Sequence, residues 1–442
     1  MMQLRHALRL RGAPEVAFVG AGGKTVALFI LAKQFEKPAL VTCSTHFAAE
    51  QLRPGDQHLV LDKPADVGKL DPAKLQKVSV LTSSTTQDER VLGLDPKTLG
   101  ALSKFARQYE LPLLVEADGA RRRALKAPAE HEPAIPDFVE DVVVLAGLSA
   151  LGKTLGEEWV HRPERFARLS GLKEEDTITP SSVVGVLLDQ EGGLKNIPKN
   201  ARRVALLNQA DTPELEGAAR SMAQPLLAQY DEVLVAALEK TGQVSAAYES
   251  VAGILLAAGD SQRLGQPKQL LDWKGKPFVR QVAETALAAG LDPLVVVTGA
   301  KAEKVESVLE GLHLHIVRNP DWRAGQSSSV KAGLAALPPR VGAALFLVVD
   351  QPQLPVALIE ALRAEHAGSL APIVAPLVDG QRSNPVLFDR NTFGDFDALE
   401  GDVGGRAIFS KHRVTWLPWL DALLAIDVDN PEDYERLLRQ AG

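Results

Sequence analysis

The sequence has a single cysteine, no long apolar run and no strong excess of charge of one sign. Its one cysteine, Cys43, rules out an internal disulfide and favours a reducing compartment. No stretch reaches the roughly 20 apolar residues that span a bilayer, and the basic first residues lack the apolar core of a signal peptide. The net charge of −7 gives no general attraction to nucleic acid or to an anionic membrane. We therefore expect a soluble cytoplasmic protein without a nucleic-acid or membrane partner.

The 442 residues, of which 45% are hydrophobic, suffice for two or three domains with separate cores. Strand-like apolar runs alternate with helical segments, which predicts α/β domains with parallel sheets and ligands at the carboxyl ends of the strands. A segment from roughly 242 to 251 is typical of a short linker. We therefore expect two doubly wound domains, at 1–245 and 250–442.

The most informative stretch, GILLAAGDSQRLGQPKQLL, runs from Gly253 to Leu271. It begins as a short buried strand and continues as a loop rich in glycine and small polar residues. Such a loop offers main-chain N–H groups to an anion, and glycine at 259 and 265 lets phosphate approach the backbone closely. Arg263 and Lys268 add positive charge beside those N–H groups. An ordinary solvated loop is the alternative.

This stretch closely resembles the LAAGxSxRxGxxK signature of MobA-like nucleotidyltransferases, and most of all the molybdenum cofactor cytidylyltransferases of the MocA type. The guanylyl-transferring relatives usually carry a glycine where Ala258 stands. The resemblance implies a Rossmann-like, GT-A-like C-terminal domain that binds CTP through this loop. The residues that match are Leu256, Ala257, Ala258, Gly259, Ser261, Arg263, Gly265 and Lys268.

Two further stretches of the second half match the same family. NPDWRAGQSSSVKAG carries Asn319, Ser328 and Ser329 at the start of a helix. There they can hold the base or ribose of a nucleotide, although a serine in this position can also be a simple N-cap. GQRSNP carries Arg382, and the resemblance implies that the molybdopterin substrate lies beside it. Residues 402–406 form another glycine-rich helix start that suits a phosphate.

Two aspartates are the expected magnesium ligands. AALFLVVDQP is an apolar strand that ends in Asp350, and an isolated carboxylate there is unfavourable unless it is paired or bound to a metal. It matches the family aspartate that binds magnesium. The ending AIDVDNPED matches the family pattern in which one aspartate completes the magnesium shell and the other caps a helix. We prefer Asp427 to Asp429 as the second ligand because it comes directly off the strand.

The first half contains an incomplete phosphate-loop motif. The strand VAFVG leads into AGGKT and an apolar helix, which is the context that a phosphate loop requires. Gly22, Gly23 and Lys24 would then bind the phosphates of ATP or GTP, and the Thr25 hydroxyl a magnesium ion. Phe18 stands where the motif has a glycine, so the loop is shorter or differently wound. A glycine-rich turn with an incidental lysine is the alternative.

A further strand of the first half, LLV at 113–115, has at its end two acids that face this loop. Glu116 and Asp118 are placed to hold a water–magnesium shell. Residues 121–123 form an arginine cluster that is equally well explained as solvated charge. Together with KAPAEHEPAIP and LLNQAD, these motifs resemble the YqeC family over most of residues 1–245. The resemblance implies a P-loop-like domain and an accessory role for selenium-dependent molybdenum hydroxylases.

We expect the second domain to catalyse magnesium-dependent nucleotidyl transfer, in which a phosphate of molybdopterin attacks the α-phosphorus of CTP and pyrophosphate leaves. This chemistry needs in-line positioning and charge neutralisation more than a protein base. Arg263, Lys268 and Asp350 are the expected catalytic residues. A nucleotidyltransferase that uses GTP or a sugar phosphate is one alternative. A nucleotide-gated protein that hands the finished cofactor to a molybdenum hydroxylase is another.

Overall fold

The computed structural model describes residues 1–84, 86–87, 90–261 and 264–441. The chain divides into two compact units, Met1–Tyr248 and Glu249–Gly442. Among the residues described, no helix combines the length and the apolar character needed to cross a membrane.

The first half of the chain supplies fourteen described strands and eight described helices. The strands are β1 (Glu15–Gly20), β2 (Ala39–Cys43), β3 (His46–Ala48), β4 (Gln57–Val60), β5 (Val78–Thr82), β6 (Thr86–Gln87), β7 (Arg90–Leu92), β8 (Leu113–Glu116), β9 (Leu125–Lys126), β10 (Asp141–Gly147), β11 (Val160–His161), β12 (Arg202–Asn208), β13 (Glu232–Ala236) and β14 (Val244–Glu249). The helices are α1 (Leu4–Ala7), α2 (Lys24–Lys33), α3 (Pro64–Val67), α4 (Pro96–Tyr109), α5 (Pro163–Ser170), α6 (Pro180–Leu188), α7 (Pro213–Leu226) and α8 (Leu238–Thr241).

The main sheet of the first unit has the strand order β14-β13-β12-β10-β1-β8-β2-β5-β4. Its central strand, β1, runs parallel to β10 on one side and to β8 on the other. The chain leaves β1 through α2 towards the β2 side and later reaches β10 on the opposite side. The carboxyl end of β1 is therefore a point where the connections diverge, and ligands bind at such points in open α/β sheets.

The second half supplies ten strands and five helices within the described residues. The strands are β15 (Val251–Ala257), β16 (Asp272–Trp273), β17 (Lys276–Pro277), β18 (Leu294–Thr298), β19 (His315–Arg318), β20 (Ala343–Val348), β21 (Ile373–Val378), β22 (Gln381–Arg382), β23 (Val386–Asp389) and β24 (Val414–Pro418). The helices are α9 (Phe278–Ala288), α10 (Ala302–Ser307), α11 (Gln326–Ala335), α12 (Val356–Ser369) and α13 (Pro431–Ala441).

The sheet of the second unit is covered on both faces. Its order is β19-β18-β15-β20-β23-β21-β22, with β24 paired to β21. Successive side chains of its strands enter different clusters, because side chains alternate across a sheet. Leu255 and Leu345 join the cluster that contains α9 and α12, whereas Ile254 and Phe346 join the one that contains α11. Burial of each such side chain contributes about 1.5–3 kcal/mol.

The mixed α/β class predicted from the sequence is confirmed, with two local differences. The strands β19, β18, β15 and β20 are parallel as expected, but β23 is antiparallel to β20 and to β21. Between β21 and β22 the chain reverses through the two-residue turn Asp379–Gly380, in which both residues have positive φ. No crossover helix therefore separates β21 from β23. The linker predicted at 242–251 is wrong, because Val244 and Ala247 are buried and β14 joins the first sheet.

Candidate functional site

The loop after β15 is open to solvent over its first glycine. A Cβ atom built on Gly259 would meet no atom of the described residues within 4 Å. Further along, Ser261 has a positive φ of 52°, and its Oγ accepts a hydrogen bond of 3.0 Å from the main-chain N–H of Lys268. Gly265 also has a positive φ, of 70°. The other predicted cation of this loop, Arg263, lies outside the described residues.

Lys268 lies between two aspartates at the carboxyl edge of the sheet. Its Nζ is 3.0 Å from Oδ2 of Asp350 and 2.7 Å from Oδ1 of Asp429. Burial opposes the charge of this ammonium, but the two carboxylates outweigh it and raise the pKa of Lys268. The second oxygen of Asp350, Oδ1, is buried and has no hydrogen-bond partner among the residues that the structure describes. That orphaned acceptor marks a place where a further cation or donor fits.

Asp427 is the third acid of this group. Its Oδ1 accepts a hydrogen bond of 2.8 Å from Nε2 of Gln351. Partial burial, followed by the charge of Asp350, raises the pKa of Asp427 to about 6. Three ionised carboxylates and one ammonium would leave two surplus negative charges, which a divalent cation balances. In the described part of the chain, no three His, Cys, Asp or Glu side chains converge as a ready-made metal site.

The residues predicted to hold base or ribose are brought together, but they bond one another. Nδ2 of Asn319 donates to Oγ of Ser328 at 2.8 Å and to Oγ of Ser329 at 3.0 Å. The first amides of α11 are also satisfied from within the chain. The N–H of Gln326 donates to Oδ1 of Asp402 at 3.4 Å, and the next amide donates to a carbonyl of the same loop.

An open pocket of about 500 Å³ lies beside Leu256 of β15. Arg382 and Arg406 both line it, and the guanidinium of Arg382 is 5.2 Å from the centre of the Phe409 ring. Burial, followed by the charge of Arg406, lowers the pKa of Arg382. Neither guanidinium has a salt-bridge or hydrogen-bond partner within the described residues, although Asp402 also lines the pocket and the charge of Asp427 acts on Arg382.

The first unit carries a second glycine loop, at the carboxyl end of β1. Gly20, Gly22 and Gly23 have φ values of 90°, 87° and 109°, a conformation that other residues rarely adopt. A Cβ on Gly22 would lie 2.4 Å from Cα of Gly147, so only glycine fits there. The loop leads into α2, and no side chain caps the first amides of that helix.

The side chains that follow this loop contact the acids of β8. Nζ of Lys24 donates to the carbonyl of Gly20 at 2.7 Å and lies 3.2 Å from Oδ1 of Asp118. Oγ1 of Thr25 donates to Oε2 of Glu116 at 2.8 Å. Burial raises the pKa of Glu116. The structure therefore brings together the lysine, the hydroxyl and both acids that the motifs singled out.

Sequence reasoning missed an ionic chain that continues from Asp118. Lys126 lies 2.8 Å from Asp118 and 3.0 Å from Glu132, and Arg162 lies 2.7 Å from Glu132. The glutamate and arginine are 30 residues apart, so no local spacing reveals their contact. Burial, then Arg162 and Lys126, lower the pKa of His161 to about 4. The edge of this sheet is thus polar, buried and rich in cations.

The fold and the first site define the class of protein. A parallel α/β sheet with an exposed glycine loop, a lysine and a group of acids at its carboxyl edge is an arrangement that suits a nucleotidyltransferase. Residues 253–415 match the MobA-like NTP transferase domain family, and residues 16–164 match the YqeC protein family. The chain belongs to both families, as a YqeC unit followed by a MobA-like NTP transferase unit, which confirms the fusion predicted from the sequence.

Relatives cover the two halves separately. The uncharacterized protein YqeC of Escherichia coli (strain K12) is 34% identical over 221 residues, which are 48% of this chain and 82% of that protein. Nicotine blue oxidoreductase of Paenarthrobacter nicotinovorans is 34% identical over 202 residues, covering 42% of this chain and 96% of that protein. Purine catabolism protein PucB of Bacillus subtilis (strain 168) is 31% identical over 201 residues, covering 42% of this chain and 95% of that protein.

Proposed function

We propose that the second unit is a magnesium-dependent cytidylyltransferase. It transfers CMP from CTP to the phosphate of a molybdopterin-type cofactor and releases pyrophosphate. The observation that carries this proposal is that Lys268 lies against Asp350 and Asp429 beside the glycine loop at Gly259, in a unit whose pocket is lined by two arginines. We also propose that the protein acts in the cytoplasm and serves a molybdenum hydroxylase.

Asp350 and Asp427 are the ligands that we assign to Mg²⁺. The orphaned Oδ1 of Asp350 and the raised pKa of Asp427 fit this ion, which usually takes one or two protein carboxylates and completes its shell with water and phosphate. When bound, it supplies charge neutralisation at the α-phosphate. Asp429 stays paired with Lys268.

The loop and Lys268 act on the phosphates. Main-chain N–H groups after β15 bind the β- and γ-phosphates, because Gly259 leaves room for them. Lys268 is anchored beside the acids and so lies where negative charge develops on the departing pyrophosphate. We assign the same task to Arg263. Asn319, Ser328 and Ser329 shape the wall on the base or ribose side.

The second substrate occupies the pocket at Arg382. Two guanidiniums of one pocket that form no salt bridge within the described residues fit the phosphate of the acceptor, since the charge of Arg406 acts against that of Arg382 until an anion binds. Phe409, beneath Arg382, offers an apolar face to a flat ring such as a pterin. Both features favour a phosphorylated ring compound over a simple sugar phosphate.

The test is a transfer assay on the intact protein with Mg²⁺. Pyrophosphate release and a cytidylylated pterin are expected with CTP and molybdopterin together, and neither with CTP alone. Turnover with GTP or with a sugar phosphate would favour the other transferases. Retention of the finished cofactor without turnover would favour a delivery protein, and an oxidoreductase would release no pyrophosphate from CTP.

For the first unit we propose a separate nucleotide site. Thr25 donating to Glu116 is the observation that favours it, because this pair of oxygens beside a glycine loop suits a magnesium–phosphate group. Gly22, Gly23 and Lys24 would contact the phosphates of ATP or GTP. Equilibrium binding of ATP and GTP to the intact protein, with and without Mg²⁺, tests this site. Binding of neither nucleotide would remove it.

A further inference from the structure

The side chain of Gln269 contacts the loop after β15 in the second unit. Gln269 is 1% exposed and directly follows Lys268. The side-chain Nε2 donates to the carbonyl of Ala257 at 3.0 Å and to the carbonyl of Gly259 at 2.8 Å. One amide nitrogen therefore uses both of its hydrogens on carbonyls that flank the start of the loop.

One of these bonds, together with a main-chain bond from Ala300, fixes the direction in which two amides of the loop point. In a trans peptide the C=O and the following N–H point in opposite directions. The carbonyl of Gly259 faces Gln269, so the N–H of Asp260 faces away from it. The carbonyl of Ala258 accepts a hydrogen bond of 2.9 Å from the N–H of Ala300, which fixes the N–H of Gly259 in the same manner.

The two amides so oriented are available to a ligand. Within the described residues, neither the N–H of Gly259 nor that of Asp260 has a hydrogen-bond acceptor. Adjacent main-chain N–H groups form concave sites for anions. The space over Gly259 is also open.

Fold stability alone does not account for a glutamine at this position. Its Oε1 is buried and finds no hydrogen-bond partner in the described part of the chain, which is unfavourable for a polar atom. The main chain after it is tied to the loop as well, because the N–H of Lys268 donates to Ser261. The segment 268–269 thus holds the carbonyl of Gly259, and with it the N–H of Asp260, in a fixed position relative to Lys268.

We propose that Gln269 is a positioning residue that preorganises the N–H of Asp260 for the triphosphate, beside the N–H of Gly259 that the bond from Ala300 holds. The inference rests on the proposed function, since it assumes that this loop binds a nucleoside triphosphate. Gln269 acts through the main chain and touches neither phosphate nor metal.

The test compares Gln269→Met and Gln269→Glu with Val282→Ala in the intact protein. Methionine keeps the volume but loses both bonds, and glutamate sets a carboxylate against two carbonyls. Val282, fully buried on α9, is a control whose truncation lowers stability and removes no hydrogen bond to the loop. We expect the dissociation constant and KM for CTP to rise at least tenfold in Gln269→Met, and further in Gln269→Glu. The KM for the acceptor and the affinities of Val282→Ala should stay within twofold of wild type.

Two outcomes separate this inference from the proposed function. If the wild-type protein binds CTP and transfers CMP, and Gln269→Met has the same dissociation constant and KM for CTP, the inference is wrong and the proposed function stands. If wild type binds no CTP, the proposed function itself is wrong. If the variants fail to fold, hydrogen exchange measured on the wild-type protein still tests the inference. CTP should slow hydrogen exchange at the amides of 259 and 260 at least tenfold, and unchanged exchange in a CTP-bound protein would overturn the inference.

Discussion

Single residues of the second unit are held by partners that lie far away along the chain. Asp350 is 82 residues from Lys268, and Asp429 is 161 residues from it, yet both lie within 3.0 Å of its ammonium. The sequence indicated these residue types and their strand-end positions. It could not predict that the lysine would pair with both acids, because such pairing depends on how the strands are ordered in the sheet.

The first prediction concerns Asp350. Asp350→Asn removes the charge assigned to metal binding while keeping the shape of the side chain. We expect kcat/KM for CMP transfer to fall by about 10²–10³-fold or more, with an unchanged circular dichroism spectrum. Glu360→Gln, at an exposed acid of α12, is the control and should transfer normally. Wild-type turnover by the asparagine variant would remove Asp350 from the mechanism.

The second prediction concerns pH and Asp427. Its pKa is raised from 3.8 to about 6, so the folded protein binds this proton more tightly than the unfolded chain does. The resulting stabilisation is complete below a pH of about 4 and is lost as the pH rises through about 6. Without Mg²⁺, Asp427→Asn should therefore melt above wild type at pH 8 and close to it at pH 4. An equal difference at both pH values would contradict this account.

The third prediction concerns the ionic chain of the first unit. Burial opposes the charge of Glu132, but Arg162 and Lys126 outweigh it and lower its pKa to about 2. Its stabilising effect is therefore present above a pH of about 4.5 and is lost as the pH falls towards 2. At pH 7, Glu132→Gln leaves the buried ammonium of Lys126 without this carboxylate, and we expect a loss of about 3 kcal/mol in unfolding free energy.

Glu130→Gln is the matched control for this change. Glu130 is 89% exposed and pairs with Arg165 at 3.4 Å, so Glu130→Gln should lower the unfolding free energy by no more than about 0.5 kcal/mol. Denaturant unfolding of the intact protein, with hydrogen exchange read on residues 113–147, measures both variants. Equal losses would show that the chain of ion pairs does not stabilise this unit.

At the scale of elements, the two glycine loops differ in whether they have room for a side chain. Gly22 is packed against main-chain atoms, whereas the space over Gly259 is open. We therefore expect Gly259→Ala to fold like wild type but to bind CTP about 10–100-fold more weakly, because the methyl group keeps the phosphates away from the main-chain N–H groups of the loop. Titration with CTP and thermal melting measure the two effects. Gly368→Ala, on α12 with equally open space, should change neither.

Elements were predictable from the sequence wherever local chemistry decides them. Pro96 begins α4 after Asp95, whose side chain accepts from two amides, and these are the start signals of a helix. The strand β14 was missed because only three of its six residues are buried, so it lacks the continuous apolar run of the other strands. The capping of α11 by Asp402 could not be predicted either, since those residues lie 76 positions apart.

At the scale of the whole molecule, each unit has its own sheet, core and glycine loop. We therefore expect a change in the first site to leave the transfer reaction intact. Thr25→Val keeps the shape of the side chain but removes the hydroxyl that donates to Glu116. It should weaken Mg²⁺-dependent ATP or GTP binding at least about tenfold, the effect of losing one hydrogen bond to a charged group. Transfer of CMP should remain within twofold, and a larger fall would show that the two activities are coupled.

The division into two α/β units followed from the sequence, because each half repeats the alternation of apolar strands and helices. The shape of the pocket at Arg382 did not, since it is assembled from β20, β22, β23 and the loop at 402–406. No single stretch of sequence contains that pocket. Its shape and charge emerge only when these elements pack.

A structure of the protein crystallised with CTP and Mg²⁺ tests the central claim most directly. We predict density for a triphosphate over the main chain at Gly259, with a metal ion held by Asp350 and Asp427. Density for the nucleotide elsewhere, or none at saturating CTP, would contradict the account.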